Sequence, residues 1–225
     1  MSNPSLRTAR KSLGWTQAET ASKLAMSQAW VSMVENGERS LTPEMLDRLR
    51  SYYDVDPENL PVREPHPMSD SDYARELANL GYPGFAHRKE GKPFWNPTQL
   101  ALSALSCDVL DRRVAEALPW LVLRYWHADW TWALTEAKGS DLQNRLGFAV
   151  TLARRLAEKM NLSSPNRLRE FESQVERSRL VREDTFCNET MTVAERNWLR
   201  THSSPEARHW NLLSDMRPEH LIHVD

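Results

Sequence analysis

Residues 16–37, which read TQAETASKLAMSQAWVSMVENG, decide how the N-terminal part of the chain folds. Thr16 followed three residues later by Glu19 is a capping box, a pattern with which α-helices begin. The helix that it starts is expected to end near Leu24, and Ser27 can cap a second helix only three residues further on. The stretch therefore predicts two short helices that meet at a tight turn.

The second of these helices is expected to have one buried and one exposed side. Because a helix advances by about 100° per residue, Val31, Val34 and Glu35 fall on one side. The two valines are expected to pack with Leu13 and Leu24. The other side, with Gln28 at its edge, consists of Ala29, Ser32, Met33 and Asn36. This exposed side is therefore available to a partner.

Residues 6–60 resemble the helix-turn-helix domain of the Cro/C1 repressor family, also called the XRE family. The residues that follow the family's order and spacing without a gap are Leu6, Arg7, Arg10, Lys11, residues 14–19, Ala21, Leu24, Ser27, Gln28, Val31, Ser32 and residues 35–37. The resemblance implies a five-helix domain that binds a double-stranded DNA operator. It also implies a structural salt bridge between Arg10 and Glu35, so we assign Arg10 to structure and not to DNA.

Gln28 is the first candidate for reading a base, because recognition helices touch bases with their N-terminal residues and a glutamine amide can bond adenine in two places. Ser32 can hydrogen-bond to several bases, whereas Ala29 and Met33 suit thymine methyl groups. The resemblance implies that the amide of Gln17 anchors a backbone phosphate. The expected DNA-binding set is completed by Ser27 and, as phosphate contacts, Asn36 and Arg39.

Three residues depart from the family's pattern, and one of them, Thr20, replaces a usual leucine of the core. Ala25 stands where the family usually has a turn glycine, and a residue other than glycine at positive φ costs about 1 kcal/mol. Trp30 has two interpretations: it packs across the rim of the interface against sugar and phosphate, or the C-terminal domain buries it.

Apolar residues recur at spacings of three and four along the whole chain, which predicts an all-α fold. Three prolines within residues 60–67 forbid a continuous helix and mark a domain boundary. We expect a helix-turn-helix domain over residues 1–62, a linker and ordered loop over 63–96 with a short helix near residues 72–80, and a larger helical domain over 97–225. Its helices are predicted at 97–109, 111–126, 130–138, 141–161, 165–182, 192–201 and 205–213.

The larger domain is rich in tryptophan between residues 118 and 132. One interpretation is a helical core filled by the indole rings, and the other is a partner-binding surface, since tryptophan is frequent at binding hot spots. The residues concerned are Trp120, Trp126, Trp130 and Trp132. This region weakly resembles the C-terminal parts of regulators and antitoxins that are paired with nucleotidyltransferase-type toxins. The resemblance implies a toxin or other protein as partner.

Composition excludes several classes of protein. The net charge of −2 means that any attraction to DNA must be local. No apolar run is long enough to span a bilayer, and the first residues lack a secretory signal, so we expect a cytoplasmic protein. Cys107 and Cys187 have no metal-ligand spacing, and no nucleophile, metal or phosphate-loop constellation is recognisable. We therefore expect no cofactor, no metal and no enzymatic activity.

Two functions remain. The first is a sequence-specific transcriptional regulator, expected to be a dimeric repressor, of which an antitoxin-like autoregulator of a toxin or defence operon is a specific form. The second is a protein-interaction module or accessory subunit whose helix-turn-helix domain no longer binds DNA. The low local positive charge and the apolar Ala29, Trp30 and Met33 favour the second function.

Overall fold

The computed structural model of the protein describes residues 7, 10–11, 13–39, 56–60, 62, 64–162 and 164–221. The chain divides into two compact units, Met1–Val62 and Arg63–Asp225. α-Helices predominate among the described residues, as the sequence predicts.

The N-terminal unit contains helices α1 (Gln17–Leu24) and α2 (Gln28–Glu35). The predicted capping box is present: the Thr16 hydroxyl accepts from the backbone N–H of Glu19, and the Glu19 carboxylate accepts from the backbone N–H of Thr16. The Ser27 hydroxyl accepts from the backbone N–H of Trp30, at 3.1 Å, and so caps α2. A 3₁₀ turn lies at Pro57–Asn59. The other helices of the predicted five-helix domain fall largely outside the described residues.

Five buried side chains form the apolar cluster of this unit, namely Ala21, Leu24, Trp30, Val31 and Val34. Trp30 is only 8% exposed. Its ring therefore belongs to the apolar cluster of this unit and does not lie exposed at a rim against sugar and phosphate, which is one of its two predicted positions. Leu13 is 43% exposed, so the prediction that it packs between the helices is wrong.

The turn between α1 and α2 passes through Ala25, which has φ 54° and ψ 43°. This is the left-handed conformation expected at this position, where the family usually has a turn glycine. The methyl group of alanine is unfavourable there because its Cβ lies close to the carbonyl oxygen. The turn keeps its shape because the backbone N–H of Ala25 still bonds to the carbonyls of Ala21 and Ser22.

Ala25→Gly is expected to raise the free energy of unfolding of this unit by about 0.5–1 kcal/mol, because glycine removes the Cβ penalty at positive φ. Ala25 is exposed, so the change removes no packing. Amide hydrogen exchange of α1 and α2 in the full chain measures the effect. The control Ala18→Gly, at an exposed position inside α1, should lower stability by about the same amount. Reduced protection in Ala25→Gly would contradict the strain argument.

The C-terminal unit is built from eight described helices. They are α3 (Asp70–Asn79), α4 (Pro97–Leu105), α5 (Arg112–Arg124), α6 (Trp130–Gly139), α7 (Gln143–Lys159), α8 (Pro165–Glu176), α9 (Val193–His202) and α10 (Pro205–His209). Prolines occupy the first position of α4, α8 and α10, where a missing N–H costs no helical hydrogen bond. The seven helices that the sequence predicts beyond residue 96 are all present; five are shorter than predicted, α6 ends one residue later, and α9 is shifted by one residue.

Helix α7 forms the centre of this unit. It packs against α5, α6, α8 and α10, and it is buried along most of its length. Gly147 allows the fully buried ring of Trp210 to approach the helix closely, because a Cβ at position 147 would overlap this ring. The indole N–H of Trp210 donates to the Thr151 hydroxyl at 2.7 Å. The segment after α10 therefore completes the core.

Two short strands, which the sequence analysis did not predict, follow α8 and α10. Strands β1 (Asp184–Thr185) and β2 (Leu212–Leu213) pair in parallel. The last helix was predicted to reach residue 213 but ends at His209, because Asn211 has φ 54° and cannot continue a right-handed helix.

The buried guanidinium of Arg145 holds β1 in place. It donates two hydrogen bonds of 2.9 Å to the carboxylate of Asp184 and two of 3.0 Å to the carbonyls of Leu105 and Cys107. A planar guanidinium suits this arrangement because its donors form a rigid fork. Arg145 therefore joins the end of α4 to β1.

Residues 70–96, which the sequence analysis assigned to a linker and ordered loop, contribute to the core of the C-terminal unit. Tyr73, Leu77, Tyr82 and Phe85 are buried there. The Tyr73 hydroxyl lies 2.7 Å from the Ser103 hydroxyl on α4. The expected linker thus includes a helix and a loop that belong to the second unit.

The four tryptophans predicted to bind a partner do not share one environment. Trp120 and Trp130 are 7% and 4% exposed and belong to the core, so the prediction of a four-tryptophan partner surface is corrected for these two. Trp126 and Trp132 are half-buried and pack against that core. The core interpretation therefore accounts for most of the cluster.

None of the described helices has both the length and the apolar character that a membrane crossing requires.

Candidate nucleic-acid interface

Helix α2 has a buried and an exposed side, as its sequence predicts. Gln28 and Ala29 are exposed, whereas Ser32 and Met33 are half-buried. Met33 also packs against the apolar cluster of the unit, so only part of its side chain is available. The exposed surface of α2 is therefore concentrated at its N-terminal end, the end that enters the major groove in helix-turn-helix proteins.

Gln28 and Ser32 carry the free hydrogen-bonding groups of this surface. Within the part of the chain that the structure describes, neither side chain has a hydrogen-bond partner, and both lie four residues apart on one side of α2. A glutamine amide offers donors and an acceptor at once, and a serine hydroxyl also offers both. These two side chains can therefore bond to base edges without first breaking a contact within the protein.

Three of the other predicted DNA-binding residues have partners inside the unit. Ser27 caps α2, and the Gln17 amide donates to a Glu35 carboxylate oxygen at 3.0 Å. Asn36 accepts from Arg7 at 2.7 Å and donates to Glu38 at 3.2 Å. Gln17 retains a second amide N–H and its carbonyl oxygen. Phosphate binding by Gln17 and Asn36 stays a prediction, and the structure assigns each of them a structural contact as well.

Glu35, at the end of α2, is the centre of a buried hydrogen-bond network. Its carboxylate is 1% exposed and accepts from Arg10 at 2.6 and 3.1 Å, from Gln17 at 3.0 Å and from Arg7 at 3.3 Å. Burial acts to raise the pKa of Glu35, but hydrogen bonds from Arg10 and Gln17, the charge of Arg10 and the hydrogen bond from Arg7 outweigh it. The pKa of Glu35 therefore lies below its ordinary value.

This network fastens α2 to the rest of the unit. Arg10 also donates to the backbone carbonyl of Trp15 at 2.8 Å, just before α1. Gln17 opens α1 and Glu35 ends α2, so the network joins the start of one helix to the end of the next. The Arg10–Glu35 salt bridge that the family resemblance implied is present. The contacts of Arg7 and Gln17 with Glu35 were not predicted.

The cations of the N-terminal unit differ in their availability to phosphate. Arg7 and Arg10 are bound to Glu35, and the Lys23 ammonium lies 4.5 Å from the centroid of the Trp15 ring. Lys11 and Arg39 are exposed, and no carboxylate pairs with them among the described residues. Lys11 and Arg39 are therefore the cations most accessible to a DNA backbone in the described part of this unit.

Comparison with known proteins gives a match for the N-terminal unit. Residues 6–60 match the family model described as Helix-turn-helix. This segment is a helix-turn-helix domain of the Cro/C1 type, which is a domain of DNA-binding regulators. Searches of the curated proteins and of the solved structures found no match. The resemblance of the C-terminal region to toxin-associated regulators stays a prediction.

Proposed function

We propose that the protein is a sequence-specific transcriptional regulator that acts in the cytoplasm as a dimeric repressor. The observation that carries this proposal is the difference between the two sides of α2. One side of this helix is fastened through buried Glu35, while Gln28 and Ser32 on the other side have free polar groups within the described residues. A rigid helix with free polar groups at its N-terminal end suits readout of base edges in the major groove.

Two copies of the chain are expected to bind one operator. A single small helix-turn-helix domain covers little DNA, and a two-fold symmetric dimer doubles its contacts by binding half-sites one helical turn, roughly 34 Å, apart. We propose that the C-terminal unit, which has a large core of its own, serves self-association or binds a protein partner. In the more specific form of the proposal, that partner is a toxin whose operon the protein represses.

We propose binding rather than catalysis as the role of the C-terminal unit, and the state of its two cysteines is consistent with this proposal. Burial raises the pKa of the Cys187 thiol to about 12. Burial also raises the pKa of the Cys107 thiol, which lies against the Tyr73 hydroxyl. Cysteine reacts as the thiolate, so neither thiol is poised to act as a nucleophile at neutral pH.

A second candidate function is a docking module without DNA affinity. The observation that favours it is the small number of available cations, because Arg7 and Arg10 both form ion pairs with Glu35. Ala29 and Met33 also make the centre of the exposed side partly apolar. Such a surface could contact a protein as well as a duplex.

A salt titration separates the two candidates. Full-length protein is used to select duplexes from a random library, and the affinity for the selected duplex is then measured against a scrambled duplex. A regulator should lose at least about tenfold in affinity between about 50 and 200 mM salt, because Lys and Arg contacts release counterions. It should also bind the selected duplex more tightly at every salt concentration. Absence of an enriched sequence, together with flat or absent binding, would favour the docking module.

A further inference from the structure

Asn36, the residue that follows α2, has a fixed backbone and an exposed side chain. Its N–H donates to the carbonyl of Ser32 at 3.0 Å, and the N–H of Glu38 donates to the carbonyl of Met33 at 2.8 Å. The orientation of the side-chain amide is not set by these backbone bonds. The two ends of this amide have nearly the same shape, but one accepts hydrogen bonds and the other donates them.

Two charged neighbours determine the orientation of the Asn36 amide, and both require the same one. The guanidinium of Arg7 donates to Oδ1 at 2.7 Å, and Nδ2 donates to a carboxylate oxygen of Glu38 at 3.2 Å. Arginine can only donate hydrogen bonds, and an ionised carboxylate can only accept them. An amide turned by 180° would place its NH2 group against Arg7 and its carbonyl against Glu38, and would lose both bonds. The amide is therefore held in one orientation.

Arg7 is itself fixed by the buried network. Its Nε donates to Glu35 at 3.3 Å, so a single guanidinium contacts two consecutive residues, Glu35 and Asn36. The Glu35 carboxylate is held in turn by Arg10 and Gln17. The orientation of an exposed amide is thereby connected to the buried centre of the N-terminal unit.

The held amide offers one hydrogen-bond donor to a partner. Nδ2 carries two N–H groups, of which Glu38 takes one, and the other has no partner among the described residues. Phosphate oxygens only accept hydrogen bonds, so they can bind this N–H but would be repelled by the carbonyl of a turned amide. Because the amide is already oriented, DNA binding need not pay the cost of ordering it.

We propose that Arg7 is a positioning residue for DNA binding: it holds the Asn36 amide so that the free N–H can bind a backbone phosphate, and Arg7 itself does not touch the DNA. This inference rests on the proposed function and deepens it by assigning a role to a residue outside the reading helix. Arg7 is 44% exposed. A direct phosphate contact by Arg7 is therefore the alternative that the experiment separates.

A double-mutant cycle on the affinity of the full-length protein for the selected duplex tests this proposal. Asn36→Ala should weaken binding by roughly tenfold per half-site, the loss expected for a hydrogen bond to a charged group. Arg7→Met should weaken binding by roughly three- to fivefold per half-site, because the amide is then correctly oriented only part of the time. The double variant should bind no more weakly than Asn36→Ala alone, since Arg7 acts through Asn36.

The salt dependence of the same affinities separates positioning from contact. If Arg7 bound a phosphate directly, Arg7→Met would reduce the slope of log affinity against log salt by about 0.9 per half-site. A positioning role leaves this slope nearly unchanged. The matched control is Arg182→Met in the C-terminal unit, where an arginine that is 65% exposed lies 3.9 Å from the carboxylate of Asp141. It should change neither the affinity nor the slope.

A measurement without DNA checks the orientation itself. NMR of the full-length protein should show NOE contacts between the side-chain N–H protons of Asn36 and the Cγ protons of Glu38, with the Asn36 signals assigned by their absence from Asn36→Ala. These contacts should weaken in Arg7→Met. Amide hydrogen exchange of Gln28–Glu35 should change little in Arg7→Met, because Arg10 and Gln17 still bind Glu35.

Three results would overturn the assignment of Arg7. They are losses that multiply to roughly 30- to 50-fold per half-site in the double variant, a salt slope reduced by about 0.9 per half-site in Arg7→Met, and NOE contacts of Asn36 that do not depend on Arg7. Selective DNA binding by the wild-type protein together with any of these results leaves the proposed function intact. A wild-type protein that prefers no duplex would instead overturn the proposed function, and the assignment with it.

Discussion

Glu35→Ala is expected to lower the free energy of unfolding of the N-terminal unit by about 3–5 kcal/mol, the usual cost of removing one partner from a buried ion pair. The carboxylate is 1% exposed and accepts from Arg10, Arg7 and Gln17. Arg7 is 44% exposed and can turn to water, but the Arg10 side chain is only 11% exposed and would keep a desolvated charge. The cost therefore arises mainly from Arg10.

Amide hydrogen exchange of Gln28–Glu35 in the full chain measures this loss, and the amides of Gln143–Lys159 in the other unit serve as an internal reference. Glu38→Ala is the matched control, because the exposed Glu38 carboxylate, on the turn after α2, accepts a single hydrogen bond among the described residues, from Asn36, and the backbone bond of Glu38 to Met33 is kept in the variant. It should cost well under 1 kcal/mol. Similar protection in Glu35→Ala and Glu38→Ala would show that the buried network does not stabilise this unit.

Gln28→Ala is expected to cost about 1–3 kcal/mol of binding free energy per half-site on the selected operator and little on random DNA. The side chain is exposed at the first position of α2 and has no partner among the described residues, so its loss should leave the fold intact. Fluorescence anisotropy with a labelled operator and a scrambled duplex of the same length measures both affinities. Gln174→Ala, an exposed glutamine in the C-terminal unit, should change neither.

The pattern of losses identifies the contact that Gln28 makes. Equal losses on the operator and on scrambled DNA would make Gln28 a phosphate contact, because phosphates carry no sequence information. An unchanged operator affinity would show that α2 does not read bases through its first residue.

Local signals in the sequence predicted most of the helices, because each one depends on residues close together in the chain. Thr16 with Glu19, and Thr192 with Glu195, form the two capping boxes that their spacing predicts. The division of α2 into a buried and an exposed side also follows from helical periodicity, although Trp30 turned out to be buried. The exposed side of α2 could therefore be predicted from the sequence of this helix alone.

Contacts between distant residues could not be predicted in the same way. The hydrogen bond between Arg7 and Glu35 joins residues 28 positions apart, and no local pattern of residues indicates it. The parallel pairing of β1 with β2 involves two residues from each strand, too few to produce an alternating pattern. The partner of a single buried residue depends on the complete fold, not on its neighbours in sequence.

The position of Trp210 on Gly147 has a consequence for how the protein is made. The indole bonds to Thr151, which precedes it by 59 residues, and the part of α7 around Gly147 stays uncovered until the ring docks. Because synthesis proceeds from the N-terminus, that part of α7 emerges from the ribosome well before the segment that covers it. During this interval nascent chains expose an apolar surface, and we expect them to depend on chaperones most at this stage.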